Sequence, residues 1–219
     1  MNKDRKLTLI FGSGPLGFPP ETYNSLIHAD LVIAADGGAN HCAYLDIVPD
    51  YLIGDLDSID PQLLEIHEKN NTQILRYPQA KNATDLELAL DFALQESTKE
   101  IWLLGVLGNR WDMSLANIMV AASDKFKDLE ISLFSQNSII KILHPKITHL
   151  FPRCREKTVS FIPLNSDVLG VTLEGFSYPL NSENLPLGST RGVSNIIKSA
   201  QASELHEKGI LLCIENILL

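Results

Sequence analysis

Five aspartates stand where short β-rich runs end, and their types and spacing point to one kind of chemistry. Asp36 closes LVIAAD within ADGGAN, and Asp55 and Asp57 follow YLIG in GDLDS. Asp85 lies in KNATD after QILRYP, and Asp112 in GNRWD after EIWLLGVL. In an open parallel sheet ligands bind beyond the carboxyl ends of the strands, so these carboxylates are expected to converge on one edge. Converging carboxylates repel one another and raise some of their pKa values unless a cation neutralises them. Magnesium suits such a set, because it prefers hard oxygen ligands, keeps several waters and commonly joins one or two carboxylates to substrate phosphates. The combination implies a nucleotide.

Some of these residues also have local roles. Asp is common at turns and helix starts, and Asp60 before Pro61 is read as an N-cap, since proline is at home in the first helical position. Asp85 serves either as a ligand or as a negative charge at the positive end of its helix. Asp55 and Asp57 would pair like charges without gain in a purely structural role. If their segment is extended, the i, i+2 spacing puts both side chains on one side and turns Leu56 away. Gly37 and Gly38 make a tight strand-to-helix turn, which also bares backbone N–H groups to an anion. GSGPLG, from Gly12 to Gly17, spells GxGxxG after a strand, with Asp36 at the distance of a ribose-binding acid. Pro15 interrupts it, and Pro19 with Pro20 leave little room for the helix that should carry a pyrophosphate. A nicotinamide enzyme would also leave GDLDS and TD unexplained. The dinucleotide reading is therefore set aside, while the loop remains free to approach a nucleotide phosphate.

The elements that must hold these residues follow a βαβ rhythm: LTLIF, a helix after Pro20, LVIAAD, a helix from Gly38, YLIGD, a helix after Pro61, then QILRYP. In TDLELALDFAL, the residues Leu86, Ala89, Leu90, Ala93 and Leu94 recur at helical spacing and predict one buried face. Thr84 and Glu87 form a capping-box pattern at its start. EIWLLGVL, a loop GNRWDM, a helix SLANIMVAAS and a strand EISLFS complete this part. After about Ile140 the pattern changes to short β-type runs, TVSFIPL, GVTLEGFSYPL, VSNIIK and GILLCIEN, separated by Gly, Pro, Asn and Ser. The expected fold is thus α/β over 1–140, an open and mostly parallel sheet flanked by helices, followed by a smaller, sandwich-like all-β domain over 141–219.

A chain of 219 residues with 45% hydrophobic and 21% charged residues can bury a substantial core. Its formal net charge of -9 disfavours a nucleic-acid partner, which needs a cationic face. The basic start MNKDRKLTLIFGSG has an apolar run ending at Phe11 and reads as a first strand, not an export signal. No apolar run approaches the roughly 18 to 20 residues of a membrane-spanning helix. Cys42, Cys154 and Cys213 are odd in number and far apart, which fits neither a disulfide framework nor a CxxC metal site. They are read as reduced, and the protein as soluble and cytoplasmic.

In order and spacing these strings resemble the thiamine pyrophosphokinase family, whose motifs run DGGAN, GDxDS, a TD-bearing helix start and a GRxD loop. Here they stand as Asp36 to Asn40, Gly54 to Ser58, Thr84 with Asp85, and Gly108 to Asp112 as GNRWD. GVTLEGFSYPL and GVSN resemble the family's thiamine-binding domain, so the likeness covers most of the chain. The resemblance implies ATP as co-substrate and Mg2+ surrounded by Asp55, Asp57 and Asp85, with Asp36 and Asp112 near the reacting groups. It implies that Arg110 neutralises phosphate charge, and that Gly37, Gly38, Asn40, Thr84 and Asn117 contribute to the nucleotide site. In the second domain it points to Tyr178, Ser194 and Asn195 around thiamine. Bacterial members often read GGRxDH and KDxTD, so Met113 and Asn82 depart from that pattern. The Asn82 change removes a carboxylate near the metal site.

The implied reaction is in-line attack by the thiamine hydroxyl on the β-phosphorus of ATP, giving thiamine diphosphate and AMP, with Asp36 or Asp112 taking the hydroxyl proton. Two other readings stay open: pyrophosphokinase chemistry on another alcohol such as a hydroxymethylpterin, and a non-catalytic thiamine or nucleotide sensor. A homodimer with each thiamine pocket built between subunits is also implied.

Overall fold

The computed structural model of the chain describes residues 6–18, 23–26, 28–151 and 157–217. The chain divides into two compact units between Gln136 and Asn137. The segment directly after Pro20 and Cys154 lie outside the described residues.

The first unit holds the strands β1 (Leu7–Phe11), β2 (Leu31–Ala35), β3 (Tyr51–Gly54), β4 (Gln73–Arg76), β5 (Glu100–Leu104) and β6 (Glu130–Phe134). Its helices are α1 (Tyr23–Leu26), α2 (Gly38–Tyr44), α3 (Pro61–Lys69), α4 (Asp85–Gln95) and α5 (Trp111–Ala121). Every strand pairing in this unit is parallel, in the order β6-β5-β1-β2-β3-β4. The chain winds outward from β1 to β4, then returns to the other side of β1 for β5. β1 and β2 are central and almost wholly buried, which is why they read as continuous apolar runs without alternation.

The helix starts are written locally. Asp60 accepts a hydrogen bond from Gln62 N at 2.8 Å, with Pro61 opening α3. Thr84 Oγ1 accepts from Glu87 N at 3.2 Å at the head of α4. Leu86, Ala89, Leu90 and Ala93 are buried as the spacing predicts, but Leu94 is exposed. Eight residues beyond Leu86 it has turned about 80° around the helix, past the edge of the buried stripe. GNRWDM is only partly a loop: α5 begins at Trp111, with Arg110 at the N-cap position. Asp112 and Met113 therefore sit in a first helical turn.

His67, on α3, is buried, and among the described residues neither ring nitrogen has a hydrogen-bond partner. Burial pushes its pKa below the ordinary value, and the Ala39 backbone pulls it back only in part. The neutral ring is thus the form the fold prefers. Its contribution to stability is fully present above the unfolded pKa of about 6.5 and is lost as pH falls through the lower folded value. The urea midpoint should drop on acidification below that point, and His67→Leu should flatten this part of the profile. An unchanged slope in the variant would assign the drop to other groups.

The second unit contains β7 (Ser138–Leu143), β8 (His149–Phe151), β9 (Thr158–Pro163), β10 (Val168–Glu174), β11 (Leu180–Leu185), β12 (Asn195–Ile196), β13 (Ala202–Leu205) and β14 (Leu211–Asn216). They form two antiparallel groups, β12-β9-β14-β7 and β11-β10-β13-β8. One core joins them: Val159, Phe161, Leu211 and Cys213 from the first group meet Phe151, Val171, Leu173 and Leu180 from the second. This is the sandwich arrangement, in which inner faces of two sheets interdigitate. β7 belongs here because it pairs along its length with β14, Leu143 opposite Leu211 through Ser138 opposite Asn216. Such a nonlocal pairing leaves no mark in the local pattern around Ile140. Among the described residues no helix is long and apolar enough to cross a membrane.

Candidate active site

The carboxyl ends of β1 and β5 bound a cavity of about 490 Å³. Here the strand order reverses, opening the crevice where open parallel sheets take their ligands. Residues 12–15 after β1 and 105–110 after β5 line it, with Asp36 after β2, Thr84 and Asp85 at the head of α4, and Met113, Ser114 and Asn117 on α5.

Backbone bonds tie the two loops together. Gly12 N donates to Leu104 O at 2.8 Å and Gly14 N to Gly105 O at 2.7 Å. His41 on α2 lies 2.7 Å from Gly14 O through Nε2, and since a carbonyl only accepts, that nitrogen carries the proton. No helix starts within residues 12–18. GSGPLG therefore lacks the helix N-terminus on which a dinucleotide pyrophosphate rests.

Asp36 leaves β2 at φ 47, a left-handed conformation that Asp tolerates better than most residues. Its N–H donates to Ile53 O at 2.8 Å, which fixes the turn against β3. The residue is 7% exposed, and its Oδ1 is buried without a hydrogen-bond partner among the described residues. Asp55 and Asp57 meet it, though not through an extended segment: β3 ends at Gly54 and Leu56 takes φ 65 with its side chain buried. This left-handed turn, not strand alternation, brings both carboxylates round. One ligand oxygen from each of Asp36, Asp55 and Asp57 lies within 4.8 Å of the others. An all-carboxylate set with one buried, unpartnered oxygen has the hard-donor character that suits Mg2+.

Asp85 stands close by but is engaged differently. Its Oδ1 accepts from Lys81 Nζ at 2.6 Å, and the same ammonium lies 4.0 Å from Asp55 Oδ2. A Cβ on Gly54 would fall 3.0 Å from Asp85 Oδ1 and 3.1 Å from Asp36 Cβ, so glycine there lets the aspartates approach. Asp57 is braced at its edge by Ser58 Oγ at 2.9 Å and Gln79 Nε2 at 3.2 Å.

Of the other expected nucleotide-site residues, Thr84, Arg110 and Asn117 line the cavity, whereas Gly37, Gly38 and Asn40 are not in its wall. A Cβ on Gly38 would fall 1.9 Å from Phe11 O, so this glycine lets α2 pack on β1. Asn40 Nδ2 donates to Ser58 O at 3.3 Å and steadies the GDLDS turn. Asn117 Nδ2 donates to Val106 O at 2.7 Å, holding the loop after β5.

Arg110 pairs with Asp112 through Nη2 and Oδ2 at 2.5 Å, both exposed, and Asp112 does not line the cavity. The hydrogen bond from Arg110 holds the Asp112 carboxyl below the usual carboxylate range, and Asp112 raises Arg110 in turn. In the second unit Asn195 is buried and satisfied by backbone: Oδ1 accepts from Tyr178 N and Ile196 N, and Nδ2 donates to Tyr178 O. Tyr178, by contrast, is 55% exposed, and Ser194 is exposed at φ 57. Sequence reasoning missed Lys81 as a site residue, although the i, i+4 spacing to Asp85 in KNATD was a usable signal. His41 carried none, because its role depends on two loops meeting.

Residues 23–133 match the family model described as thiamin pyrophosphokinase, catalytic domain, and residues 148–207 that described as thiamin pyrophosphokinase, vitamin B1 binding domain. The thiamine pyrophosphokinase of Bacillus subtilis is 31% identical over 207 residues, covering 94% of this chain and 97% of that protein. The crystal structure of thiamine pyrophosphokinase from Bacillus subtilis superposes with a TM-score of 0.84 over 97% of this chain and 99% of its own. That of the Geobacillus thermodenitrificans thiamin pyrophosphokinase gives 0.81 at 25% identity, covering 96% and 97%. Two domain models in the expected order, a relative matched nearly end to end and a shared two-unit fold place this chain in the thiamine pyrophosphokinase family.

Proposed function

We propose that the protein transfers the pyrophosphoryl group of ATP to the hydroxyl of thiamine, giving thiamine diphosphate and AMP. The observation that carries the reading is the meeting of Asp36, Asp55 and Asp57 beside the β1/β5 crevice, with a buried Asp36 oxygen that no group among the described residues satisfies. Asp55, Asp57 and Asp85, the set the resemblance implies, would hold Mg2+ together with Asp36, which meets them at Gly54; when bound, the ion offsets the charge of the phosphoryl oxygens. Transfers of this class depend chiefly on positioning and charge stabilisation. The loops after β1 and β5 provide the crevice, and Asn117 and His41 hold those loops in place. Arg110 lines the crevice and presents a guanidinium that, in this state, pairs with Asp112. Asp112 itself is a weak base in this state, since its proton affinity is lowered and it stands off the cavity wall. In the second unit, Asn195 holds the backbone that presents Tyr178 and adjoins exposed Ser194, the groups proposed to meet thiamine.

The deciding assay supplies purified protein with ATP, Mg2+ and thiamine and follows both AMP and thiamine diphosphate. Equal amounts of the two products are expected. AMP formed only with a hydroxymethylpterin would overturn the acceptor, and ligand binding without turnover would make the protein a sensor.

A homodimer is part of the same proposal. Trp111, Leu115 and Met119 recur at i, i+4 and i+8 along α5 with 82%, 56% and 56% of their surfaces exposed, an apolar stripe of the kind that marks association surfaces. Sedimentation should show twice the chain mass, and a monomer at assay concentrations would remove this part. Burial pushes the Cys42 thiol up to about 12, so this cysteine serves as packing and not as a reactive group; a cytoplasmic setting is part of the same proposal.

A further inference from the structure

We propose that His41 is a positioning residue for the nucleotide: it fixes the peptide between Gly14 and Pro15, and with it the crevice wall against which ATP binds, and it does so only with a proton on Nε2. The inference rests on the β1/β5 crevice as the ATP site and adds a residue from outside its wall that governs donor binding. The placement begins in α2. A Cβ on Gly38 would run into Phe11 O, so this glycine lets the first turn of α2 press onto the end of β1. His41 stands three residues on, on the same side of the helix, and its ring reaches the loop that leaves β1.

Nε2 lies 2.7 Å from Gly14 O. Pro15 has no N–H, so that carbonyl is the one polar group of the Gly14–Pro15 peptide. The backbone bonds that join the two loops stop at Gly14 N, and among the described residues none reaches Gly14 O or Pro15. Beyond Gly14 N the His41 side chain therefore sets the plane of the chain. Pro15 is in turn seated on the facing loop, where a Cβ on Gly108 would collide with its ring. The His41 ring packs on that loop as well, since Cδ2 is 3.1 Å from where a Cβ on Gly105 would stand. A carbonyl only accepts, so the tie needs an N–H at Nε2. The neutral Nε2–H ring and the charged ring both supply it, and the Nδ1–H tautomer does not.

The test titrates the full chain, with Mg2+ present, with α,β-methylene-ATP, in which carbon replaces the bridging oxygen whose bond the transfer would break. His41→Ala should weaken binding of this analogue by about five- to twentyfold. The KM for ATP should rise in step while the KM for thiamine stays within about twofold, because the groups proposed for thiamine belong to the second unit. His41→Gln, whose amide can place an N–H near the position of Nε2, should recover binding to within about threefold. A glutamine variant as weak as the alanine variant overturns the proposal, since ring packing and not the hydrogen bond would then matter. Equal rises in both KM values with a lowered urea midpoint overturn it too, making His41 a general support of the fold. In the wild-type protein, 15N NMR of the His41 ring, assigned by its absence from the H41Q spectrum, should show Nε2 protonated. A neutral ring protonated at Nδ1 sinks the proposal without any variant. Wild-type protein that does not bind the analogue removes the ATP reading and His41's role with it. Wild-type binding that His41→Ala leaves unchanged removes His41's role alone.

Discussion

Asp36→Asn is expected to lower kcat/KM for thiamine diphosphate formation by on the order of 10²- to 10³-fold at limiting Mg2+, with partial recovery as Mg2+ is raised. The substitution is chosen for its backbone. Asp36 sits at φ 47, where Asn is as comfortable as Asp, so the turn and the N–H bond to Ile53 O should persist. What changes is charge: one of three carboxylates whose oxygens lie within 4.8 Å of each other becomes neutral. In the metal-free protein that removes repulsion on the one buried member of the set. The melting temperature without metal should therefore hold or rise while activity collapses, a split that a merely structural aspartate would not produce. An Asp36→Asn enzyme with the wild-type Mg2+ dependence would show that Asp36 is not a ligand, and Mg2+-free melting well below wild type would show that its charge serves the fold.

The largest effect on stability is expected in the second unit. Phe161 is fully buried and meets Phe151 and Phe176 edge to face, with ring centroids 5.8 and 5.4 Å away. Truncation to alanine removes the aromatic contacts and leaves a cavity, at a cost of about 3–5 kcal/mol. Leucine keeps much of the volume and should cost less. The consequence extends to substrate binding through backbone bonds. Phe161 N donates to Gly192 O at 3.0 Å, Ser160 Oγ accepts from Ser194 N at 3.0 Å, and Asn195 pairs with Val159. Loosening β9 should thus disturb the segment that carries Ser194 and Asn195. A Phe161→Ala protein that still folds should show a raised KM for thiamine with the KM for ATP nearly unchanged, and urea denaturation should show the lost stability. Equal increases in both KM values would indicate that the damage is not confined to the second unit.

Much of the first unit was legible in the residues because its signals are local. Strand ends carry the aspartates, Asp60 with Pro61 and Thr84 with Asp85 announce their helices, and parallel strands buried by helices appear as unbroken apolar runs. The second unit was legible as a class, short strands between turn residues, but β7, β8, β11 and β13 were not picked out. Their identity depends on partners distant in sequence, such as β14 for β7. For the site, the chain alone determined which residue types stand at the ends of which strands, because hydrophobic period and turn chemistry operate over a few neighbours. Tertiary structure alone decided how those charges are shared. The left-handed turn at Leu56 brings Asp55 and Asp57 to Asp36, and Lys81 claims Asp85. Arg110 takes Asp112 off the cavity wall, and Asn195 is consumed by backbone bonds. A carboxylate's role depends on the nearest opposite charge and the water it has lost, and both are set in three dimensions by segments that meet only when the chain has folded.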